Sequence, residues 1–94
     1  MAKSIIQKDT DVCYICGTNQ NLHWHHVFFG TANHKNSDDY HCLVRLCQEH
    51  HTGSKGVHAN RALDLFLKRT AQQCFEEQIG NREMFMQIFG RNYL

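Results

Sequence analysis

The apolar positions of this chain change period twice. Over residues 22–28 they alternate, with Leu22, Trp24 and His26 on one side and His23, His25 and Val27 on the other, the two-residue period of a β-strand. Residues 30–40 are polar throughout and carry several turn formers, which predicts a loop. Residues 42–46 read as a second short strand. A helical turn or two then starts near Cys47 and is broken by Gly53 and Gly56. From Asn60 the period becomes three to four: Leu63, Phe66, Leu67, Ala71, Cys74, Phe75 and Ile79 form the stripe of an amphipathic helix, with Asn60 as N-cap and Gly80 just past its end. Asn81 caps a second helix carrying Met84, Phe85, Ile88 and Phe89, which Gly90 stops. Residues 1–11 carry little pattern and are expected to form a loose arm, and residues 18–21 a turn. The class is α+β: strand, long loop, strand, short helix, then two covering helices.

Cysteine and histidine spacing adds chemistry to this outline. Cys13 and Cys16 form a C-x2-C step followed by Gly17, and Cys47 and His50 form a C-x2-H step about thirty residues later. If Cys47 opens a helix, residues three apart share a face, so Cys47 and His50 complete a tetrahedron while His51, roughly 100° further round, points elsewhere. Three cysteines and one histidine make a closed set, the composition of structural zinc, with no position left for substrate. Closing it draws the strand of His25 and His26 towards the helix of His51. All eight histidines lie between His23 and His58. That density points to metal binding, proton transfer or both.

Size and charge narrow the class. At 94 residues the chain is read as one domain, 1–94, small enough for a hydrophobic core alone to be marginal, so a metal staple is physically useful. The knuckle and its strands take residues 12–58 and the helical extension 60–90. Net charge is +1, so nucleic-acid binding has to come from local clustering. Between Cys42 and Phe75 the bases Arg45, Lys55, Arg61, Lys68 and Arg69 outnumber Glu49 and Asp64. Arg45, Lys55 and Arg61 are the candidate nucleic-acid contacts. No stretch approaches the roughly 20 apolar residues of a membrane helix, and the N-terminus lacks a signal-peptide core. A cytoplasmic protein with reduced cysteines is expected, with no membrane partner, and Cys42 and Cys74 as buried apolar thiols. A homodimer would cover aromatic residues that a short chain cannot bury alone.

The order C-x2-C, then a His-His pair in a strand, then a second strand running into Leu46-Cys47-x2-His50-His51 resembles the HNH endonucleases, the ββα-metal or His-Me finger nucleases, in their zinc-braced form. Gly56-Val57-His58-Ala59-Asn60 and the tail from Phe89 to Leu94 are similar to small phage and prophage HNH proteins. The resemblance implies a DNA phosphodiester hydrolase with His26 as general base and a divalent metal on His25 and His51. His58 would be a further metal ligand or phosphate contact. It implies nicked or broken DNA with 5′-phosphate and 3′-hydroxyl ends, and phage recombination or packaging proteins as partners. Where the family carries an asparagine near the second strand, this chain reads Asp38-Asp39-Tyr40-His41-Cys42. His41 is therefore a second catalytic candidate, with Asn33 and Asn36 as alternatives reaching in from the loop.

Hydrolysis of a phosphodiester needs a base for water, a cation for the charge that builds up, and positive groups for the backbone. Imidazole ligands favour zinc, nickel or manganese, while waters and phosphate completing the shell admit magnesium. The catalytic cofactor is thus Mg2+ or Mn2+, with Zn2+ or Ni2+ as further candidates. His23 and His34 are read as structural, His34 also as a phosphate contact. The rival reading is a non-catalytic zinc-finger module that binds nucleic acid or protein.

Overall fold

The computed structural model describes residues 3–94. In chain order the elements are β1 (Leu22–His26), α1 (Thr31–Asp39), β2 (Leu43–Cys47), α2 (Gln48–His51), α3 (Arg61–Gln78) and α4 (Arg82–Phe89). The two strands form one antiparallel sheet in which Trp24 faces Arg45, His25 faces Val44 and His26 faces Leu43. The architecture is α+β, with a two-stranded sheet at one end and helices over it. None of the described helices is long and apolar enough to cross a membrane.

The polar stretch 30–40 is a helix and not the expected loop. Its sequence has no apolar stripe, and Gly30 at its N-cap offers no side-chain cap. Tertiary hydrogen bonds fix it instead. Buried Ser37 Oγ accepts from Phe28 N (3.1 Å) and donates to Phe28 O (2.6 Å). Asn33 and Asn36 donate to the terminal α4 carbonyls of Phe89 (3.2 Å) and Ile88 (3.0 Å). These groups satisfy backbone atoms that the end of β1 and the end of α4 leave orphaned. Phe28 consequently turns away from the sheet; the paired register ends β1 at His26, although Val27 N still donates to Cys42 O (3.0 Å), and β2 runs one residue later than the pattern predicts.

The N-terminal segment, as far as it is described, is also tied down, contrary to expectation. Ile5 N donates to His41 O (3.0 Å), and Gln78 Nε2 donates to Ile5 O (2.8 Å). Buried Gln7 accepts from Arg45 N (2.8 Å) and donates to Asp9 O and Val12 O. It therefore acts as a third partner on the open edge of β2. The first two positions of the expected arm lie outside the described residues.

The helical extension follows its pattern. Asn60 Oδ1 accepts from Leu63 N, Asn81 Oδ1 accepts from Met84 N, and Gly90 closes α4 in the left-handed region at φ 82°. Phe28, two residues beyond β1, meets Phe85 and Phe89 from α4 at ring separations of 5.3 and 4.5 Å, and Phe75 from α3 meets Phe85 at 5.3 Å. Leu67, Ala71, Val44, Leu46 and Cys42 complete the buried core. Two stripe positions depart from the expectation, since Phe66 and Ile79 are exposed. Buried Gln72 bonds to both Asn92 and Tyr93 N at 2.7 Å and so docks the C-terminal tail.

Candidate functional site

Two separate clusters were expected around the sheet, and the first is the Cys3His set. Cys13 N bonds to Thr18 O and Gly17 N to Cys13 O, which folds the C-x2-C step into a tight knuckle; Tyr14 N bonds to Arg45 O and pins that knuckle to β2. The result brings Cys13, Cys16, Cys47 and His50 together, so that one atom from each lies within 4.8 Å of the others. Cys16 Sγ is 3.7 Å from Cys47 Sγ, and His50 Nδ1 is 3.2 Å from Cys47 Sγ and 4.0 Å from Cys13 Sγ. A tetrahedral ion with Zn–S near 2.3 Å spaces its sulfurs by about 3.8 Å. The cluster can therefore hold a structural metal. Burial raises the Cys13 pKa, but backbone N–H groups of Cys16, Cys47 and Ile15 outweigh it and hold the thiol down to about 6. Burial, and after it the neighbouring Cys16 and Cys13 side chains, pushes the Cys47 thiol up. Packing these thiols together without a cation therefore works against ionising all of them.

The second cluster is imidazole. His25 from β1, His51 from α2 and His58 from the following turn offer ring nitrogens within 4.8 Å of one another, with ring centroids 5.2–5.4 Å apart. His58 reaches the set because the chain doubles back after α2. Val57 N bonds to His50 O and Gly56 N to Gly53 O. A Cβ at Gly56 would stand 2.6 Å from His51 O, so only glycine lets the turn lie against α2. His25 is buried, and its Nε2 has no hydrogen-bond partner among the described residues. Burial, followed by the charges of His51, His58, His26 and Lys68, drives the His25 pKa down to about 3. His51 is lowered by burial and by His58 and His23. Neutral imidazoles converging with an orphaned nitrogen are what a divalent cation requires, and so the residues fit one. His23, read as structural, stands at the rim with Nδ1 3.4 Å from His51 Nδ1.

His26 points into the same cleft from the end of β1. Its Nε2 is 2.9 Å from Asp38 Oδ1, and its ring stacks on His34 at 3.7 Å and 21°. With the shared proton on Nε2, Nδ1 carries the lone pair. Asp38 is the residue that sequence reasoning missed as a partner. It was noticed only as part of a stretch lacking asparagine, and its approach to His26 depends on residues 31–39 being helical. The cleft, ≈ 360 Å³, is lined by Trp24, His25, His26, Phe29, His34, His51 and His58.

The other candidates divide. His41 lies in the α1–β2 turn at φ 59°, its carbonyl engaged by Ile5, and belongs to neither the cleft nor any metal-competent cluster among the described residues. Asn33 and Asn36 are directed to α4. The side chain bonded to His26 is that of Asp38 and not one of these three. Arg45 does not line the cleft; its guanidinium lies 5.0 Å over the ring of Trp24, which does. Lys55 is exposed on the turn beyond α2. Arg61 is exposed at an adjoining hollow shared with Phe29 and His58, and sits 3.9 Å from Asp64. Lys68, one of the excess bases of residues 42–75, is buried in an ion pair with Asp64 (2.9 Å) and lies 4.3 Å over the ring of Phe29, which lines the cleft. Cys42 is buried as expected, with its thiol pushed up to about 12 by burial and then by Cys74; Cys74 is raised in the same direction but is only half-buried, short of the expected burial.

Compared with protein-family models, with curated proteins and with solved structures, the chain shows no significant match. The chemistry of the site therefore rests on its geometry.

Proposed function

We propose that the protein is a metal-dependent endonuclease of HNH type that hydrolyses DNA phosphodiester bonds. The observation that carries this reading is the meeting, in one cleft, of His26, paired with the carboxylate of Asp38, and three converging imidazoles, His25, His51 and His58. A passive zinc-finger module has no use for either beside its closed metal knuckle.

In this reading His26 donates an Nε2–H hydrogen bond to the Asp38 carboxylate, keeps that proton, and takes a proton from the attacking water at Nδ1. Asp38 fixes the ring and stabilises the imidazolium that results, the role a buried carboxylate plays beside a catalytic histidine elsewhere. His25, His51 and His58 hold a divalent cation, which supplies charge stabilisation at the phosphate and the leaving oxygen. The three-imidazole donor set favours Mn2+, Ni2+ or Zn2+, whereas Mg2+ would depend on water and phosphate for most of its shell. Arg61, at the hollow that shares Phe29 and His58 with the cleft, and exposed Lys55, on the turn between His51 and His58, contact the DNA backbone. Buried Lys68 is held by Asp64 over the ring of Phe29. Cys13, Cys16, Cys47 and His50 bind structural zinc.

The test is incubation of the purified, zinc-replete chain with supercoiled plasmid in Mn2+, Ni2+ or Mg2+. Nicking abolished by chelation of the added ion and strongly reduced in His51→Ala, with 5′-phosphate and 3′-hydroxyl ends, is the expected outcome. Failure to cut plasmid, single-stranded or branched DNA in any of these ions, with the zinc intact, would overturn the reading in favour of a binding module.

A further inference from the structure

At the α1 side of the cleft stands another set of convergent ligand atoms that the proposed reaction does not use as ligands. One ring nitrogen each from His26 and His34 and a carboxylate oxygen from Asp38 lie within 4.8 Å of one another. His34 and Asp38 are four residues apart on α1 and so share a face, and His26 meets that face from the end of β1. Bonds near 2.0–2.2 Å place the ligands of a tetrahedral zinc about 3.3 Å apart. The His26–Asp38 separation of 2.9 Å has to open by a few tenths of an ångström, and because the His26 and His34 rings stack at 3.7 Å and 21°, the exposed His34 ring has to turn out of the stack for both in-plane lone pairs to meet one ion. The backbone beneath does not have to move, since Ser37, Asn33 and Asn36 bolt α1 to Phe28 and to α4. His34 and Asp38 are exposed, which leaves a solvent side for the fourth ligand.

We propose that His26, His34 and Asp38 form a separate, inhibitory site for a borderline transition-metal ion, Zn2+. Two imidazoles and one carboxylate select such ions over Mg2+. The inhibitory part rests on His26 being the base of the proposed reaction. A neutral imidazole has one nitrogen lone pair. Once His26 gives it to a cation, the other ring nitrogen carries the proton and cannot accept one from water. Asp38 is withdrawn from the pair at the same time. The chain would thus work in Mg2+ or Mn2+ and be shut down as free zinc rises.

The experiment uses the full chain with its Cys-cluster metal in place. Calorimetric titration with Zn2+ is compared between the wild type, His34→Ala and His51→Ala, while the ring signals of His26 and His34 are followed by NMR. The proposal expects one class of zinc sites to weaken at least about tenfold in His34→Ala and to persist in His51→Ala, with both ring signals moving together in the wild type. Unchanged stoichiometry and affinity in His34→Ala would overturn the site. Nicking in Mg2+ or Mn2+, taken for each protein relative to its own rate without added zinc, decides the regulation. The zinc needed for half-inhibition is expected to rise at least about tenfold in His34→Ala, and an unmoved midpoint would place inhibition at His25, His51 and His58 instead. If the chain cuts no DNA, the regulatory claim falls with the reading of His26 as base, while calorimetry still decides whether the site exists.

Discussion

His26 and His25 are neighbours in one strand and carry opposite demands. In the proposed reaction His26 has to gain and lose a proton, and a carboxylate at 2.9 Å gives it a partner for doing so. His25 has to stay neutral, and burial among other imidazoles denies it a proton. Replacing Asp38 with Asn keeps the shape but removes the charge that stabilises the imidazolium. Turnover is predicted to fall by about 10- to 100-fold, with DNA affinity little changed, as single-turnover and binding assays would show; equal turnover would remove Asp38 from the mechanism. The sign for His25 follows from linkage. Its folded pKa of about 3 lies below the unfolded value near 6.5, so the unfolded chain binds the extra proton between those limits. The native state is at full advantage above pH 6.5 and loses stability as pH falls towards 3, by at most about 1.4 kcal/mol per pH unit. Urea midpoints of the wild type and His25→Gln compared across pH 7 to 5 isolate this slope from release of the Cys-bound metal, and parallel curves would contradict it.

Among the elements, α1 is the least legible in the sequence and the most consequential for the site. The stripes of α3 and α4 could be read because each buries one face, and their asparagine caps could be read because capping is local. The sequence 31–39 has no stripe. Its helix is held by Ser37 bonding to a strand end and by Asn33 and Asn36 bonding to carbonyls more than fifty residues away, contacts that no local pattern announces. The two-residue period of β1 was visible, but its end was not, because Phe28 leaves the sheet to bond to Ser37. The Cys3His set and the convergence of His25 with His51 were legible because both follow from spacing once the hairpin closes. His58 required the fold-back at Gly56. Ser37→Ala strips both buried polar atoms of Phe28 of their partner, and is predicted to cost about 1–3 kcal/mol. It should also loosen Asp38 from His26, so denaturation midpoint and cleavage rate should fall together. A stable variant with unaltered hydrogen exchange in α1 would show that other contacts hold the helix.

For the whole molecule, the metal knuckle and the aromatic core hold opposite ends. Phe28, Phe75, Phe85 and Phe89 tie the sheet to the helices, whereas the end of the sheet carrying Cys47 has the knuckle across it. Removing the ion should therefore release residues 13–16 and 47–58 while leaving part of α3 and α4 formed, and the His25–His51–His58 cluster should disperse with them. Chelation monitored by circular dichroism and metal analysis is predicted to lower the melting temperature and abolish cleavage without complete loss of helix; an unchanged melting curve after the metal has gone would contradict a structural role. The most direct measurement of the central claim is the rate of supercoiled-plasmid nicking by the wild type and by His26→Ala, both verified to contain one tightly bound zinc and to share the same fold. The account predicts metal-dependent nicking by the wild type and a loss of at least about 100-fold in the variant. Equal rates in the two proteins, or no cleavage by either, would contradict it.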